Sequence, residues 1–317
     1  MNILITGAAG FIGGALCSHF SDDNRVIGAD ITKGPDRPIH VIWEQIDLTD
    51  ENAVVAICET YSPDVIIHCA GLAHQKIGAV STATYMRVNS EATENLARIA
   101  AENNPDVLFV FLSSVSVYGE DNLAGAVSEG HDCHPSSDYA ASKLDAERRL
   151  AALCATGVIR NVSVLRLAPV YDREWSLNLD RRVFAPGKLT YLRFGSGSQR
   201  MSTLARPNLV GFIAHILQSR DCSKPHTLNV CDAEPYEFNS IIRVFRQSGI
   251  HPNRPVISVP LSVVWIATRI AGIFLSHKRE WIHSCYNKLA SDLVFDNRKM
   301  LKTGFRPVHS VQTIFSP

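Results

Sequence analysis

Hydrophobic residues follow two repeating patterns along the first half of the chain. Short apolar runs, typical of strands buried in a parallel sheet, alternate with stretches in which apolar residues recur at helical spacing. The apolar runs lie at 2–6, 25–29, 40–46 and 107–112, and the clearest helical patterns lie at 11–20 and 138–153. This alternation continues to Arg166 and predicts an α/β fold built on a Rossmann-type, doubly wound parallel sheet.

The pattern becomes less regular after Arg166. Residues 172–197 predict no regular element, an apolar strand returns at 228–230, and residues 238–315 predict mostly helices with one short strand at 256–259. We therefore expect a smaller, mostly helical C-terminal substrate domain. The predicted bounds are 1–165 for the NAD-binding Rossmann domain, with 203–231 returning to it, and 166–202 and 232–317 for the substrate domain.

A glycine-rich loop, Thr6–Gly13, joins the first predicted strand to the first predicted helix. In a strand–loop–helix context, Gly7 permits the tight turn, Gly10 lets the backbone approach a pyrophosphate, and Gly13 lets the helix pack closely. The helix N-terminus offers N–H groups and a positive dipole end to phosphates. The residues expected at the dinucleotide are Gly7, Gly10, Phe11, Ile12 and Gly13. The alternative is a glycine turn without a ligand.

Two aspartates follow the next predicted strands. An acid at Asp30 would hydrogen-bond the adenosine ribose and repel a 2′-phosphate, which favours NAD over NADP. Asp47, with Leu48 beside it, could reach the adenine. Each aspartate also has a purely structural interpretation: Asp30 could cap a turn, and Asp47 could cap the helix that begins near Asp50.

A proton-transfer set is predicted about 130 residues after the glycine loop. Tyr139 and Lys143 are spaced i, i+4 and therefore project from one helix face. A nearby ammonium would lower the pKa of the phenol, and the lysine could also hold the nicotinamide ribose. Ser114 lies just past the apolar run at 107–112, at the sheet edge where open α/β sheets bind ligands. Its hydroxyl could bond a substrate oxygen while Tyr139 moves the proton. The alternative is an amphipathic helix with an exposed lysine.

These motifs resemble the extended short-chain dehydrogenase/reductases, the NAD-dependent sugar-nucleotide epimerase/dehydratase family. The matching elements are Thr6–Gly13, His68–Gly71, the set Asn89, Thr93, Asn95 and Leu96, Ser113–Gly119, and the pair Tyr139 and Lys143. The resemblance implies that Ser114, Tyr139 and Lys143 are catalytic and that Asn89 supports a water relay to the lysine. It also implies cofactor contacts at Ala70 and Gly71.

The second half resembles the family less closely. By resemblance, Arg200 is a candidate for the substrate diphosphate and Asn178 for a position near it. His74 could approach the sugar. Arg200 could instead be a solvated loop arginine, and His74 a bystander. The arginine that usually grips the nucleotide phosphate is absent from its place near Ser291–Leu293, and Lys288 lies off register.

The expected reaction follows from the same resemblance. Family dehydratases carry Asp-Glu directly after the catalytic Ser/Thr, whereas Val115 and Ser116 follow Ser114, which argues against a dehydratase. We expect an NAD-dependent 4-epimerase of a UDP- or polyprenyl-diphosphate-linked (N-acetyl)hexosamine, in bacterial surface polysaccharide (O-antigen, lipopolysaccharide) biosynthesis. One alternative is an NAD(P)H-dependent 4-ketoreductase of a nucleotide-linked 4-keto-6-deoxy sugar. Another is a non-catalytic dinucleotide-sensing protein.

An apolar run at 261–275 is too short and too interrupted to span a bilayer. The run and the basic residues 277–279 that follow resemble a bacterial subgroup that includes epimerases of polyprenyl-diphosphate-linked N-acetylglucosamine. One hypothesis is an interfacial helix that touches the inner membrane surface. The other is a core helix of the substrate domain.

Bulk properties exclude several other classes. The 31 basic and 31 acidic residues balance, so nucleic acid is not an expected partner. Eight scattered cysteines without a Cys-x-x-Cys pair predict reduced, buried thiols and no metal site. No cleavable apolar segment precedes the glycine loop, so we expect a cytoplasmic protein, with possible peripheral membrane contact. The family resemblance also implies a homodimer.

Overall fold

A computed structural model shows two compact units. It describes residues 1–32, 40–73, 80–119, 123, 125–219, 226–250, 253–275 and 279–316. For residues 279–281, 283 and 284 it describes the backbone only. The first unit contains residues 1–117, 137–166 and 213–228, and the second contains 118–136, 167–212 and 229–317. The assignment of an NAD-binding and a substrate-binding role to separate chain regions stays a prediction.

The strands in chain order are β1 Asn2–Thr6, β2 Arg25–Asp30, β3 Val41–Gln45, β4 Val65–His68, β5 Leu108–Ser114, β6 Ala126–Val127, β7 Asn161–Leu167, β8 Val170–Tyr171, β9 Tyr191–Phe194, β10 Arg200–Met201, β11 Leu204–Ala205, β12 His226–Val230, β13 Tyr236–Glu237, β14 Val256–Val259 and β15 Val294–Phe295.

The α-helices are α1 Phe11–Phe20, α2 Glu51–Tyr61, α3 Thr82–Met86, α4 Ala92–Asn103, α5 Asp138–Ala155, α6 Leu177–Val183, α7 Arg206–Ser219, α8 Phe238–Gln247, α9 Leu261–Phe274, α10 Arg279–Ala290, α11 Arg298–Lys302 and α12 Val311–Phe315. A π-helical turn, Arg87–Glu91, joins α3 to α4, and short 3₁₀ turns lie at Val115–Tyr118 and Pro186–Lys188.

A seven-stranded sheet forms the centre of the fold, in the order β12-β7-β5-β4-β1-β2-β3. The pairs β1–β2, β1–β4, β2–β3 and β4–β5 are parallel. Apolar strand residues and residues of the flanking helices form one buried core, which includes Leu4, Ile66, Phe109, Leu96 and Leu150. The predicted α/β Rossmann-type fold is confirmed, and β1 lies inside the sheet, so that its carboxyl end has neighbours on both sides.

The second unit is built from helices and short strand pairs. Parallel pairing joins β9 to β14, β8 to β11 and β6 to β15, and antiparallel pairing joins β10 to β13. Aromatic rings pack in its interior: Phe184 stacks on Tyr191 with centroids 4.3 Å apart, and Phe245 meets Phe315 edge-on with centroids 4.9 Å apart. The expectation of an irregular stretch at 172–197 is wrong, because α6, a 3₁₀ turn and β9 lie there.

Helix α9 packs differently from the other long helices. None of its fourteen residues is buried. The hypothesis that this run forms a core helix is therefore wrong. Among the described residues, no helix is long and apolar enough to cross a membrane.

Candidate active site

Ser114 and Tyr139 meet at the carboxyl edge of the sheet in the first unit. Ser114 is the last residue of β5, and Tyr139 lies in the first turn of α5, whose N-cap is Ser137. The Ser137 hydroxyl accepts a hydrogen bond from the Ala140 amide, which fixes the start of the helix. The Ser114 side chain lies near enough to the Tyr139 phenol to lower its pKa, and the Ser114 Oγ accepts hydrogen bonds from the Ser116 amide and hydroxyl at 3.2 and 2.8 Å. The structure thus brings together the two hydroxyls that the sequence placed in one site.

The pKa of the Tyr139 phenol is raised above its ordinary value. Burial is the main cause, the nearby Ser114 side chain acts in the opposite direction, and Tyr85 adds to the rise. The expectation that a nearby ammonium lowers this pKa is wrong for the geometry observed. The Lys143 ammonium points to another partner, so Tyr139 is a protonated phenol at neutral pH.

That partner is a backbone carbonyl of β5. Lys143 Nζ donates to the Leu112 carbonyl oxygen at 2.9 Å and lies 4.6 Å from the centroid of the Phe111 ring. Its side chain is buried, and burial lowers its pKa to about 8, although nearby Cys69 and Glu147 oppose the shift. A lysine with a pKa this close to neutrality can change its charge in the pH range where most enzymes work.

Asn89 links the π-helical turn to α5 and to the loop after β4. Its Nδ2 donates to Ser142 Oγ at 3.0 Å and to the Leu72 carbonyl at 3.1 Å, and its Oδ1 accepts from the Leu72 amide at 2.7 Å. A Cβ on Gly71 would lie 3.0 Å from Asn89 Oδ1 and 3.4 Å from Lys143 Nζ. Gly71, Asn89 and Lys143 are therefore packed side by side, as their common assignment to one site predicted.

Sequence reasoning missed a buried ion pair directly behind Lys143. Glu147 lies one helical turn beyond Lys143, and its carboxylate accepts bonds from Arg166 Nε and Nη2 and from Ser113 Oγ. The closest of the arginine contacts is 2.6 Å, and both side chains are buried. The spacing Tyr139, Lys143, Glu147 was a detectable signal, because all three lie on one helix face.

The role of His68 was also missed. Its ring is fully buried between two hydroxyls, with Nδ1 2.7 Å from Thr6 Oγ1 and Nε2 2.9 Å from Thr93 Oγ1. Burial, assisted by the charge of Lys143, lowers its pKa to about 3. The imidazole is therefore neutral at neutral pH and fastens β4 to β1 and α4.

The glycine loop has the geometry that a dinucleotide pyrophosphate requires. Gly7 has φ of +66°, and the Gly10 amide donates to the Gly7 carbonyl at 3.0 Å. A Cβ on Gly13 would lie 2.2 Å from the Gly7 oxygen, so no other residue fits there. Helix α1 begins at Phe11 and Ile12 with no side-chain cap and no acidic residue in its first turn. These residues fit a bound diphosphate.

The loop is held by polar contacts to the neighbouring strands. Asp30 Oδ2 accepts from the Ala9 amide at 3.1 Å, while its Oδ1 accepts from the Thr32 amide and hydroxyl. Asp30 thus caps a turn, as one interpretation held, and also touches the glycine loop, where a ribose-binding acid belongs. On the other side, the Ala70 amide donates to Thr6 Oγ1 at 3.3 Å.

Asp47 does not cap helix α2. Its Oδ1 accepts from the Thr49 amide and hydroxyl, both at 2.9 Å, and Asp50 is the N-cap instead. The capping interpretation of Asp47 is therefore wrong. Leu48 next to it packs against the core of the first unit. Whether Asp47 and Leu48 contact an adenine stays a prediction.

Of the predicted substrate residues, Ser114 lies in the first unit, Asn178 and Arg200 lie in the second unit, and His74 is outside the described residues. Arg200 lies in β10 with its side chain exposed and paired to Asp292: its Nε and Nη2 donate to Asp292 Oδ2 at 3.1 and 3.0 Å, and its amide donates to Asp292 Oδ1. Whether Arg200 binds a diphosphate stays a prediction. Both side chains of the pair stay partly exposed. Asn178 is half-buried in the first turn of α6.

Known proteins resemble this chain in sequence and fold. The profile of the NAD dependent epimerase/dehydratase family matches residues 3–231. UDP-glucose 4-epimerase of Vibrio cholerae is 29% identical over 217 residues, 67% of this chain and 65% of that protein. Methionine adenosyltransferase 2 subunit beta of Xenopus laevis is 33% identical over 146 residues, 46% of this chain and 41% of that protein. The chain thus spans less than two thirds of either relative.

Solved structures extend the likeness over nearly the whole chain. UDP-glucuronic acid 4-epimerase from Bacillus cereus, in complex with NAD, superimposes with a TM-score of 0.75 at 20% identity, covering 99% of this chain and 96% of that one. At that identity the likeness establishes the fold. Because the family profile covers most of the chain, this protein belongs to the NAD dependent epimerase/dehydratase family. The predicted family and its cofactor, NAD, are thereby confirmed.

Proposed function

We propose that this protein is an NAD-dependent 4-epimerase of a hexose or N-acetylhexosamine carried on a diphosphate. The proximity of Ser114, at the end of β5, to Tyr139, in the first turn of α5, carries the proposal, because it sets a proton donor and a positioning hydroxyl at one point of the ligand-binding edge. The 4-epimerases among its relatives and structural neighbours support this reaction. The relatives also include 4,6-dehydratases, and Val115 and Ser116 after Ser114 argue against that reaction here.

Each side chain of the candidate site has a separate role in the proposed reaction. Ser114 bonds the C4 oxygen of the sugar, and Tyr139 exchanges a proton with that oxygen. The raised pKa of Tyr139 suits the half-reaction in which a ketone must be protonated. In the other half-reaction the phenolate is needed. We expect Ser114 to stabilise it directly, and the Lys143 ammonium to do so once its hydrogen bond to the Leu112 carbonyl is released. The hydrogen bond between Asn89 and Ser142 holds α5 next to the loop at Gly71.

The cofactor residues form a continuous set along β1, β2 and β4. The loop from Gly7 to Gly13 with the start of α1 would hold the pyrophosphate, and Asp30 the adenosine ribose. Ala70, Gly71 and Lys143 would lie along the nicotinamide half. NAD, when bound, supplies reversible hydride exchange with C4 of the sugar.

The sugar carrier is either UDP or a polyprenyl diphosphate. In the second unit, Asn178 and Arg200 are the residues proposed for the diphosphate, and His74 is proposed near the sugar. The carboxylate of Asp292 holds the guanidinium of Arg200 in one orientation, so that its remaining N–H groups can donate to a diphosphate. The arginine that binds the nucleotide phosphate in the family is absent from its place near Ser291–Leu293. This favours the polyprenyl-linked substrate, which has no nucleotide to bind. A polyprenyl-linked substrate would in turn favour a role in bacterial surface polysaccharide biosynthesis.

The test is incubation of the purified protein, without added cofactor, with UDP-N-acetylglucosamine and separately with its polyprenyl-diphosphate-linked counterpart. The C4 epimer, detected by NMR after hydrolysis, is expected from one of them, and a deuterium label at C4 should be retained. Tyr139→Phe and Ser114→Ala serve as inactive controls that still release NAD on denaturation. Absence of epimer from both donors, with a tightly bound NAD present, would overturn the proposal.

Two other functions give different results in the same experiment. A 4-ketoreductase would leave both donors unchanged but oxidise added NADH or NADPH in the presence of a nucleotide-linked 4-keto-6-deoxy sugar. A non-catalytic dinucleotide-binding subunit is the second alternative, and the methionine adenosyltransferase subunit among the relatives supports keeping it. A Tyr139→Phe variant with full biological activity would select this alternative.

A further inference from the structure

Helix α9 presents a continuous apolar surface on its exposed side. Val263, Ile266, Ile270 and Ile273 are spaced at helical intervals, and all four are exposed, as is Phe274. The exposed fractions reach 75% at Ile273 and 81% at Phe274. The opposite stripe of the helix, which includes Val264, Thr268 and Ala271, is only half-buried, and α9 contacts α10. An apolar stripe of this length exposed to water marks a surface that another phase or molecule covers.

Aromatic and cationic groups border this stripe. Trp265 is about half exposed, and the Arg269 guanidinium lies 5.3 Å from its ring centroid. A tryptophan beside an arginine on the flank of an apolar helix is typical of helices that lie in the interface of a bilayer, since both side chains have an apolar body and a polar end.

The charge of this part of the chain has one sign. Between Glu237 and Glu280, the described residues 238–250 and 253–275 contain four arginines and no Asp or Glu, although the whole chain is neutral. A second copy of this chain would bring the same positive charge to the contact, and like charges facing each other are unfavourable. An anionic surface is the complementary partner.

A groove lined by arginines adjoins the start of α9. It has a volume of about 780 Å³ and is lined by Arg193, Arg243 and Arg246, together with Asn239 and Asn253. Arg193 bonds Ser258 Oγ at 3.1 and 2.6 Å, and Ser258 lies two residues before Pro260, the N-cap of α9. A Cβ on Gly195 would lie 3.1 Å from the Leu261 side chain. The arginine groove therefore lies beside the first turn of α9, so that a basic and an apolar surface adjoin in the second unit.

We infer that this surface docks the protein on an anionic phospholipid bilayer. The exposed stripe of α9 enters the boundary between headgroups and acyl chains, and the arginines bind phosphate groups of the lipid. Helix α9 has fourteen residues, so it lies along the interface and does not cross the membrane. The inference is independent of the reaction proposed above, because it rests on residues outside the candidate active site.

The test is co-sedimentation of the full chain with vesicles of phosphatidylcholine alone or mixed with phosphatidylglycerol. We expect binding to the mixed vesicles at low salt and most of it to be lost near 1 M salt, where the Debye length is about 3 Å. An I273D/F274D variant should lose at least tenfold in vesicle binding. An R243Q/R246Q variant should lose the preference for phosphatidylglycerol.

Matched controls separate this surface from general exposure of apolar residues. Leu189 and Val308 are 73% and 75% exposed in the same unit, so Leu189→Asp and Val308→Asp should bind vesicles like the wild type. Circular dichroism and thermal unfolding confirm that each variant is folded. Equal binding by I273D/F274D, or no binding of the wild type to mixed vesicles, would overturn the inference. So would a dimer in sedimentation equilibrium that I273D/F274D dissociates, since a second copy would then cover the helix.

Discussion

Helices α5 and α9 differ in which side chains they bury. Helix α5, of eighteen residues, buries Ser142, Lys143 and Glu147. Helix α9, of fourteen residues, buries nothing and exposes isoleucines and a phenylalanine. Burying charge and exposing apolar surface both cost free energy, so each helix departs from what stability alone would select. The difference supports both proposals: that the buried charges of α5 serve chemistry within the unit, and that α9 contacts something outside it.

Removal of the Tyr139 hydroxyl is the largest effect that the comparison predicts. Tyr139→Phe should lower kcat for epimerisation by about 10²- to 10⁴-fold, the range of a lost acid–base group. I273D/F274D in α9 should keep wild-type kcat on a water-soluble donor. Steady-state kinetics with both variants tests the pair of expectations. A Tyr139→Phe variant with wild-type kcat would show that this residue of α5 takes no part in the chemistry.

The ion pair behind Lys143 should give the largest change in stability. Glu147→Ala leaves Arg166 buried without its carboxylate, so we expect a loss of about 3–5 kcal/mol in the free energy of unfolding. Glu102, paired with Arg98 on the surface, is the matched control, and Glu102→Ala should cost under about 1 kcal/mol. Urea denaturation measures both. Equal costs would mean that the buried pair is not needed for folding.

Acid should destabilise the first unit through His68. Its pKa is about 3 in the folded protein against an ordinary value near 6.5, so the unfolded chain binds the extra proton between these values. Stability is therefore lost as the pH falls below about 6.5, by about 2 kcal/mol at pH 5. His68→Gln should flatten this pH dependence, measured by urea denaturation at pH 7 and pH 5. An unchanged slope would assign the acid sensitivity to other groups.

Alkaline pH should affect turnover through Lys143. Since its pKa is held down to about 8, the ammonium is present below that pH and is lost above it. We expect kcat/KM to fall about tenfold for each pH unit above pH 8, as for a single deprotonation. Lys143→Arg, which keeps its charge, should lack this bend even if its rate is lower. A wild-type profile flat to pH 10 would contradict the assignment.

The smallest predicted effect is on the exposed stripe of α9. Ile270→Ala should change the free energy of unfolding by no more than about 0.5 kcal/mol, as at other surface positions. Leu150→Ala in α5, at a fully buried position, should cost about 2–5 kcal/mol. Thermal or urea unfolding of the two variants compares the helices directly. A large loss from Ile270→Ala would show that α9 is packed in solution.

Local patterns predicted the first unit well and its polar contacts poorly. Helix α5 was expected at 138–153 and lies at 138–155, because a capping serine, apolar spacing and a lysine one turn from Tyr139 are all local signals. The partner of Lys143, a carbonyl of β5, depends on tertiary packing and carries no local signal. The position of Glu147 on the same helix face as Lys143 is a local signal, but its burial against Arg166 from β7 depends on tertiary packing.

The second unit was harder to predict because its elements are short. Strands of two residues, such as β8 and β10, have no period, and the residues of α6 and β9 lie between turn-forming residues that suggest an irregular chain. Helix α9 was placed well from its apolar run, but the sequence left open whether it packs in a core. Its exposure depends on which neighbours cover it, and that is settled only by the fold.

The position of β12 at the edge of the central sheet has a consequence for synthesis on the ribosome. Its neighbour β7 ends at Leu167, but β12 ends only at Val230, roughly 60 residues later. At translation rates of about 5–20 residues per second, β7 waits about 3–13 s for its partner. During that interval its unpaired edge is a template for wrong strands. The nascent chain therefore passes through a defined window in which chaperone protection matters most.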